Sequence, residues 1–543
     1  MSSLRERSPS VEERVVRSRW PEPEVPDLDL VSFVLRHAGR LADRPAVIDG
    51  ASGRTVTYGE LAGGVERVAA GLAARGFGRG DVLALHLPNL LEFPMVLYGG
   101  LRAGGAVTPA SPLYTAAELA RQLRSTGAGI LITVGRLAAV AREAAVQAGV
   151  DDVMVLGEPS FGELMAAGGG PPESRPDPNE VAVMLSSSGT TGLPKAVQLT
   201  HTALVANLVQ MAVPFAIEEG ERVLGLAPFF HSMGLCCVLN HALANGGTVV
   251  ALARFDLEVM LRAMEAHGVQ QALVAPPLLA ALARHPRVSS FDLSALRTVG
   301  SGGAPAGAAL EQAVAERLHC LVGQGYGITE ASPLVAVCPL ADPSLMRPGS
   351  VGLLVGGTEA RVVDPGSGAA LPGGEDGELW VRGPQLMAGY RDDPDATAAT
   401  IDADGWLHTG DLGHIDEDGS IFLVDRLKEL IKVRGFQVAP AELEAVLVTH
   451  PAVADAAVIG VPDERDGERP KAFVVSRGPL DREELSAYVA ERVAPYKRLG
   501  AIEEIDELPK SLTGKLLRRV LVERERQAVR EAPPASQHRR PPL

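Results

Sequence analysis

Ser186-Ser187-Ser188-Gly189-Thr190-Thr191-Gly192-Leu193-Pro194-Lys195 packs three serines, two threonines, two glycines and one lysine into one turn-forming segment. Glycines let the backbone approach a ligand closely. Hydroxyls and backbone N–H groups in such a loop cradle phosphate oxygens, and a lysine adds a point charge. The segment therefore reads as a cradle for a nucleotide triphosphate. Its flanks refine this. Val181 to Leu185 reads as a buried strand and Ala196 to Leu199 as a second one. Thr200 and Thr202 are candidate N-caps for a helix through about Met211. A Walker A loop runs from a strand straight into a helix as G-x-x-x-x-G-K-[ST]. Here Gly189 and Lys195 miss that spacing, and Ala196 follows the lysine.

The 543 residues exceed what one core usually supports, so two or more domains are expected. Hydrophobic content of 46% with 22% charged residues places the chain among globular proteins rather than disordered ones. No uninterrupted apolar run is long enough to span a bilayer. The net charge, 51 − 67 = −16, argues against general nucleic-acid binding and against an anionic membrane surface. Cys236, Cys237, Cys320 and Cys338 show no C-x-x-C spacing and read as buried thiols in a reducing cytoplasm. Met1 to Pro26 has no apolar h-region, so it is not expected to be a signal peptide.

From about Leu28 to Asp425, short apolar runs alternate with amphipathic stretches, the pattern of α/β layers. Ala116 to Arg124 (N-cap Thr115) and Ala308 to Leu318 read as helices, and Thr248 to Leu252 and Ala272 to Ala275 as strands. From Leu353 to Asp425 turn signals such as Asp364-Pro365-Gly366 and Asp418-Gly419 multiply, the mark of a β-rich subdomain. After Asp425 the pattern resets, with Ala441 to Val448 and Arg482 to Val493 as helices around strands Val453 to Val461 and Lys471 to Val475. The expectation is an α/β protein: a large N-terminal domain over 28–425, a small mobile α/β domain over 426–526, and disordered tails at 1–27 and 527–543.

Further polar clusters follow. Gln324-Gly325-Tyr326-Gly327-Ile328-Thr329-Glu330 sets an aromatic ring beside bare backbone, suitable for a purine, with a hydroxyl and a carboxylate suitable for phosphate and Mg²⁺; a Gly-rich loop leading into a helix fits the same residues. Thr409-Gly410-Asp411 presents a carboxylate in a tight turn, able to accept both hydroxyls of a ribose or to serve as a plain turn aspartate. Asp425 to Gln437 carries four cations across the proposed domain junction, and Pro509 to Lys515 reads as a turn presenting a lysine.

In this order and spacing, the segments closely resemble the adenylate-forming superfamily of acyl- and aryl-CoA synthetases, luciferases and nonribosomal adenylation domains. Within it the chain resembles 4-coumarate:CoA ligases through Pro228-Phe229-Phe230-His231, Gly325 to Glu330, Gly435 to Glu444, and Ala494-Pro495-Tyr496-Lys497-Arg498. The resemblance covers about Leu28 to Arg519. It implies an AMP-forming acid–thiol ligase that uses ATP, Mg²⁺ and coenzyme A. A carboxylate attacks the α-phosphate, and a thiol then displaces AMP. It further implies that Ser187, Ser188, Gly189, Thr190, Thr191, Gly192 and Lys195 hold the β- and γ-phosphates. Thr190 and Glu330 would sit near Mg²⁺. Gly303, Ala304, Pro305, Gln324, Gly325, Tyr326 and Gly327 would line the adenine, with Thr329 beside the phosphates. Asp411 and Arg426 would bind the ribose. Lys515 would bridge carboxylate and α-phosphate, Lys428 would be the hinge, and Lys432 and Gln437 match positions tied to catalysis.

For the acid, the resemblance points to Ser232, Met233, Cys236, Gly300, Gly303, Gly327, Pro333 and Leu334, beside His231. Amino-acid-adenylating relatives carry an aspartate where His231 stands, so a histidine disfavours an amino acid. The ligases carry a tyrosine where Met233 stands and often a lysine at Gly300, so a para-hydroxyl is not clearly read. Cinnamate, benzoate-type and medium-chain acids are expected as substrates on equal terms with coumarate. Val433-Arg434 replaces tyrosine and lysine, which leaves open another acceptor: a carrier protein, an amine, or nitrite-dependent diazotisation of an aryl amine. The implied partner is a small-molecule acid, with no nucleic acid and no membrane span. No feature of the sequence addresses oligomeric state.

Overall fold

The computed structural model describes residues 15–531 except 168, 169, 171, 174, 188–194, 435, 464 and 511–515. The chain separates into two compact units: the chain through Thr409 together with Gly413–Leu423, and Gly410–Leu412 with Val424 onward. The architecture is the expected mixed α/β with a large and a small unit.

Two largely parallel sheets dominate the first unit. One runs Gly389–Tyr390, Lys195–Thr200, Val181–Ser187, Ala106–Pro109, Val82–His86, Ile130–Val134, Asp152–Leu156. The other centres on Thr248–Ala251, Arg222–Gly225, Gln271–Val274, Thr298–Ser301 and Leu321–Gly327, all in parallel register. Parallel strands need crossovers, and amphipathic helices supply them. Thr115 caps Ala116–Thr126 in a reciprocal box with Glu118, and Gly127 closes that helix at φ 64°. Thr200, not Thr202, caps His201–Met211; the Thr202 hydroxyl donates to the Pro178 carbonyl instead. Among the described residues, no helix is long and apolar enough to cross a membrane.

The β-rich stretch forms a five-stranded sheet ordered Val16–Arg17, Glu359–Val363, Gly377–Arg382, Leu407–Ile415, Ile421–Arg426. Its first strand corrects the reading of 1–27 as a tail. Val16 and Arg17 pair with Ala360 and Glu359, because the open sheet edge offers unpaired backbone groups and Glu359 accepts from Arg17 Nε at 2.9 Å. At the other end, helix Arg518–Glu531 runs past 527, anchored by Leu521 against Phe473 and Leu508. The second unit's sheet is ordered Phe436–Val438, Ile431–Val433, Gly467–Ser476, Val453–Asp463, with Ala501–Glu504 also on Gly467–Ser476.

Three histidines are sealed in the first unit. Burial pushes His86, His201 and His241 down to about 4. The bonding of His201 requires a neutral ring, because its Nδ1 accepts the Leu30 N–H at 3.1 Å, while His241 Nε2 donates to the Phe215 carbonyl at 2.7 Å. Unfolded histidine titrates near 6.5, so on acidification the unfolded chain takes up protons first. Their stabilisation is complete above that value and is lost as pH falls from about 6.5 towards 4, on the order of 1 kcal/mol per pH unit for each ring. Denaturant midpoints at pH 7.5, 6 and 5 are expected to fall; a flat profile refutes the burial account.

Candidate functional site

Ser187 and Lys195, described residues at the two ends of the polar segment, close the end of a hairpin. Val181–Ser187 and Lys195–Thr200 pair antiparallel, with Ser187 opposite Lys195. Ser188, Gly189, Thr190, Thr191 and Gly192 lie outside the described residues. Gly389–Tyr390 pairs with Gln198 and Val197, and this brings Tyr390 to the same end. The Lys195 ammonium lies 4.8 Å from the Tyr390 ring centre and 3.5 Å from Asp393 Oδ2. The Tyr390 hydroxyl donates to Glu330 Oε1 at 3.0 Å. Burial, then the Glu330 charge, push that phenol up, so it stays a donor. Ser187 Oγ is buried and lies beside the Tyr390 hydroxyl, whose ionised form it favours. Sequence reading passed over Tyr390 because its contacts come from residues far along the chain.

Gln324 to Gly327 is a strand, not a loop: Leu321–Gly327 pairs with Thr298–Ser301 on one side and Leu334–Val337 on the other. Tyr326 accordingly turns inward, 6% exposed, against Val335 and Ala336, which limits the ring face open to a ligand. Gln324 brackets one residue: its Oε1 accepts the Ala306 N–H at 2.6 Å and its Nε2 donates to the Ala306 carbonyl at 2.8 Å. That pins the chain immediately after Gly303-Ala304-Pro305, where Gly303 takes φ 88°.

Beside it lies a narrow apolar cavity of about 30 Å³, lined by Met211, Phe215, Cys237, Leu273, Gly300, Gly323, Gln324, Gly325, Leu334, Val337 and Leu340. Its origin is missing side chains: Gly300 and Gly323 are register partners on adjacent strands, and Gly325 repeats two residues on. Burial pushes the Cys237 thiol up to about 12, so no lining group is charged at neutral pH. Of the two adjacent cysteines it is Cys237 that lines the cavity, while Cys236 packs in the core at 1% exposure. Gly300 and Leu334 line it; Ser232, Met233, Gly327 and Pro333 do not, although Met233 Sδ reaches to 3.5 Å of where a Cβ on Gly302 would stand.

His231 is half-buried and precedes a π-helix, Met233–Asn240. Such i→i+5 turns are rare and gather at functional sites. The approach to His231 is set by Asn89, 5% exposed. Its Nδ2 donates to the Gly225 and Ala227 carbonyls at 2.9 and 3.0 Å, and its Oδ1 accepts the Phe229 N–H at 2.8 Å. Thr329 and Glu330 form a 3₁₀ turn beside these elements.

In the second unit, Arg426 Nε lies 2.9 Å from Asp411 Oδ1. Asp411 does not sit in a tight turn. It lies within strand Leu407–Ile415, and Gly410 at φ 68° supplies the local irregularity. Lys428 lies in the 3₁₀ turn Leu427–Glu429. Lys432 and Gln437 face each other across the hairpin of Ile431–Val433 and Phe436–Val438. Val433 is buried in this unit's core, and Arg434, at φ 50°, is tied to Asp466. Lys515 lies outside the described residues.

The AMP-binding enzyme family matches residues 34–391, and the AMP-binding enzyme C-terminal domain matches 442–515. "4-coumarate--CoA ligase 5" of Oryza sativa subsp. japonica is 42% identical over 526 residues, 94% of this chain and 97% of that protein. The chain belongs to the AMP-binding enzyme family. Within it, the chain is a 4-coumarate:CoA-ligase-like, AMP-forming ligase. Among solved structures, the anthranilate CoA ligase AuaEII in complex with anthranoyl-AMP is similar at TM-score 0.85 and 26% identity, over 93% of this chain and 99% of that one. The amide bond synthetase McbA of Marinactinospora thermotolerans is similar at TM-score 0.81 and 30% identity, over 90% and 99%. The structure brings Ser187, Lys195, Glu330 and Tyr390 together at one end of the Val181–Ser187 and Lys195–Thr200 hairpin.

Proposed function

We propose that this chain is an ATP-dependent carboxylic acid:CoA ligase that activates a cinnamate- or benzoate-type or medium-chain acid as its acyl-adenylate. The observation that carries the acid class is the uncharged, glycine-walled cavity at Gly300, Gly323 and Gly325. A flat ring or an alkyl chain fits such a lining, and a charged tail would lose its hydration there without compensation.

Lys195 and the loop hydroxyls hold the β- and γ-phosphates, and the Gln324-braced loop at Gly303 to Pro305 takes the adenine. Asp411 and Arg426 bind the ribose. Mg²⁺ would be held by Glu330, Thr190 and the phosphates, and would supply countercharge. One carboxylate plus phosphate oxygens suits that ion, and the Tyr390 hydroxyl orients the carboxylate. Lys515 draws the substrate carboxylate to the α-phosphate and offsets the charge that builds there. Lys432 and Gln437 act in the chemistry, and the second unit turns about Lys428 between adenylation and thiol transfer. His231 borders the acid and leaves no anionic partner for an amino group. We place the enzyme in the cytoplasm, supported by four free cysteines.

The test is incubation with Mg-ATP and a panel of aryl and alkyl acids, with and without coenzyme A, amines and nitrite. Pyrophosphate release and product masses are then measured. CoA thioesters of aryl or medium-chain acids are expected. Adenylation without any thioester would overturn CoA as acceptor. Amide or diazonium products would move the chain to the second reading, the amide form of which the likeness to an amide bond synthetase favours. Substitution Gly300→Leu tests the pocket. A Cβ there would stand 2.9 Å from Leu273 Cδ1, so the added side chain must displace a residue that lines the cavity. A rise of about tenfold or more in KM for aryl acids is expected, with KM for ATP unchanged. Equal rises in both would move the acid elsewhere.

A further inference from the structure

Arg518 begins the helix Arg518–Glu531, and its side chain is buried in the second unit at 16% exposure. Its guanidinium reaches three stretches of chain. Nη1 donates to the Glu429 carboxylate, Nη2 to Glu444 Oε2 at 2.7 Å, and Nε to the Val458 carbonyl at 3.3 Å. Glu444 Oε1 accepts the Val458 N–H at 2.7 Å, so the carboxylate is fully engaged. Asp425 faces the same cation and accepts the N–H groups of Arg426 and Ala441 at 2.7 and 2.8 Å. Burial pushes the carboxyls of Glu444 and Asp425 up, and the Arg518 charge opposes this in both.

One cation thus gathers three acids. Such a buried set is a weak source of stability, and its documented use is to fix register. A planar fork of five donors suits that task, where a lysine would be a single point charge. The register fixed here is specific. Glu429 ends the short turn Leu427–Glu429 that carries Lys428. Arg518 follows a stem in which Lys510 bridges Leu516 and the Leu517 N–H donates to the Pro509 carbonyl at 2.8 Å. Lys515 falls between the strands of that stem in sequence.

We propose that Arg518 is a positioning residue that yokes the turn carrying Lys428 to the stem of the Lys515 segment, so that the two move as one body through the catalytic cycle. The yoke rests on the reading above, in which Lys515 serves adenylation and the second unit turns about Lys428. Its arm to Glu429 is charge-assisted, the strong kind of hydrogen bond, and joins elements 89 residues apart. Its other arms reach Glu444 in helix Pro440–Leu447 and Val458 in strand Val453–Asp463, so the arm to the turn is separable from them by mutation.

The informative variant is Glu429→Gln, which weakens the turn's arm and leaves Glu444, Val458 and Arg518 paired. Two readouts go beyond folding: hydrogen exchange at amides 426–431, with helix Pro440–Leu447 as internal control, and the ratio of adenylation rate to thioester formation from supplied acyl-AMP. The expected result is exchange at 426–431 faster by about tenfold with the control unchanged, and a shift of about tenfold in the ratio, at unchanged melting temperature. Arg518→Lys is expected to shift both in the same direction, because a point charge cannot serve both arms. Unchanged exchange and ratio in Glu429→Gln, or equal loss of both half-reactions with a lowered melting temperature, overturns the yoke. If exchange rises as expected but the unmodified protein forms no thioester with any acid, the proposed CoA ligation has failed and the mechanical link stands.

Discussion

Lys515→Ala is expected to slow acyl-adenylate formation by about 10²–10³-fold and to spare thioester formation from supplied acyl-AMP. Bringing a carboxylate against a polyphosphate juxtaposes anions, and charge grows on the α-phosphate oxygens as the bond forms. A cation placed there is worth more in the transition state than in the ground state, so its removal lowers the rate of that step. Thiol attack on the adenylate expels AMP and needs no cation between two anions. The loss therefore falls on one half-reaction. Pyrophosphate release and single-turnover thioester formation, measured on the same preparation, check this. Equal losses in both would argue against the division of labour. The described residues on either side of Lys515 suit the role, since the stem from Pro509 to Leu517 is closed by backbone pairing and backed by Arg518.

Gly234→Ala is expected to destabilise the first unit by about 3 kcal/mol, at the upper end of overpacking costs, and to impair use of the acid. A Cβ at Gly234 would stand 2.2 Å from the Pro228 carbonyl oxygen and 2.5 Å from that of Ala227. Both obstacles are backbone, so no rotamer change relieves them. Nor can Ala227 withdraw, because its carbonyl accepts from Asn89, which also holds Phe229. The strain must pass into the π-helix or into the segment that leads to His231. A lowered urea midpoint with raised KM for the acid is the expected pair of results. A midpoint equal to that of the unmodified protein would show that the packing against Pro228 is looser than the geometry states.

Local signals were legible where they suffice to form an element. Helix Ala308–Leu318 matches its reading residue for residue, and Thr115 caps its helix as read, with a reciprocal box to Glu118 that the structure adds. The strand–loop–strand order around Ser186 to Lys195 separates the hairpin from a Walker A loop, and Ser187 and Lys195 prove to be register partners. Readings that depended on isolated short motifs fared less well. Gly325 and Gly327 suggested a loop because glycine is a turn former, yet their strand is paired on both sides, and that pairing outweighs intrinsic preference. Asp411 read as a turn residue for the same reason, and pairing within its sheet placed it in a strand.

The alternation of α and β elements was legible in the sequence, because periodicity and caps act over short stretches of chain, and the candidate set of Lys195, Glu330, Asp411, Arg426 and Lys515 came from the resemblance its motifs carry. Tertiary structure alone decided which neighbours those residues keep. Tyr390 meets Glu330 across 60 residues, Asn89 meets Phe229 across 140, and Arg518 meets Glu429 across 89. It also decided that Cys237 rather than Cys236 faces the cavity, since a π-helix turns side chains through a different angle from an α-helix. Hydrogen bonds and ion pairs of this kind need only that two side chains arrive at the same place. No pattern local to either residue carries that information.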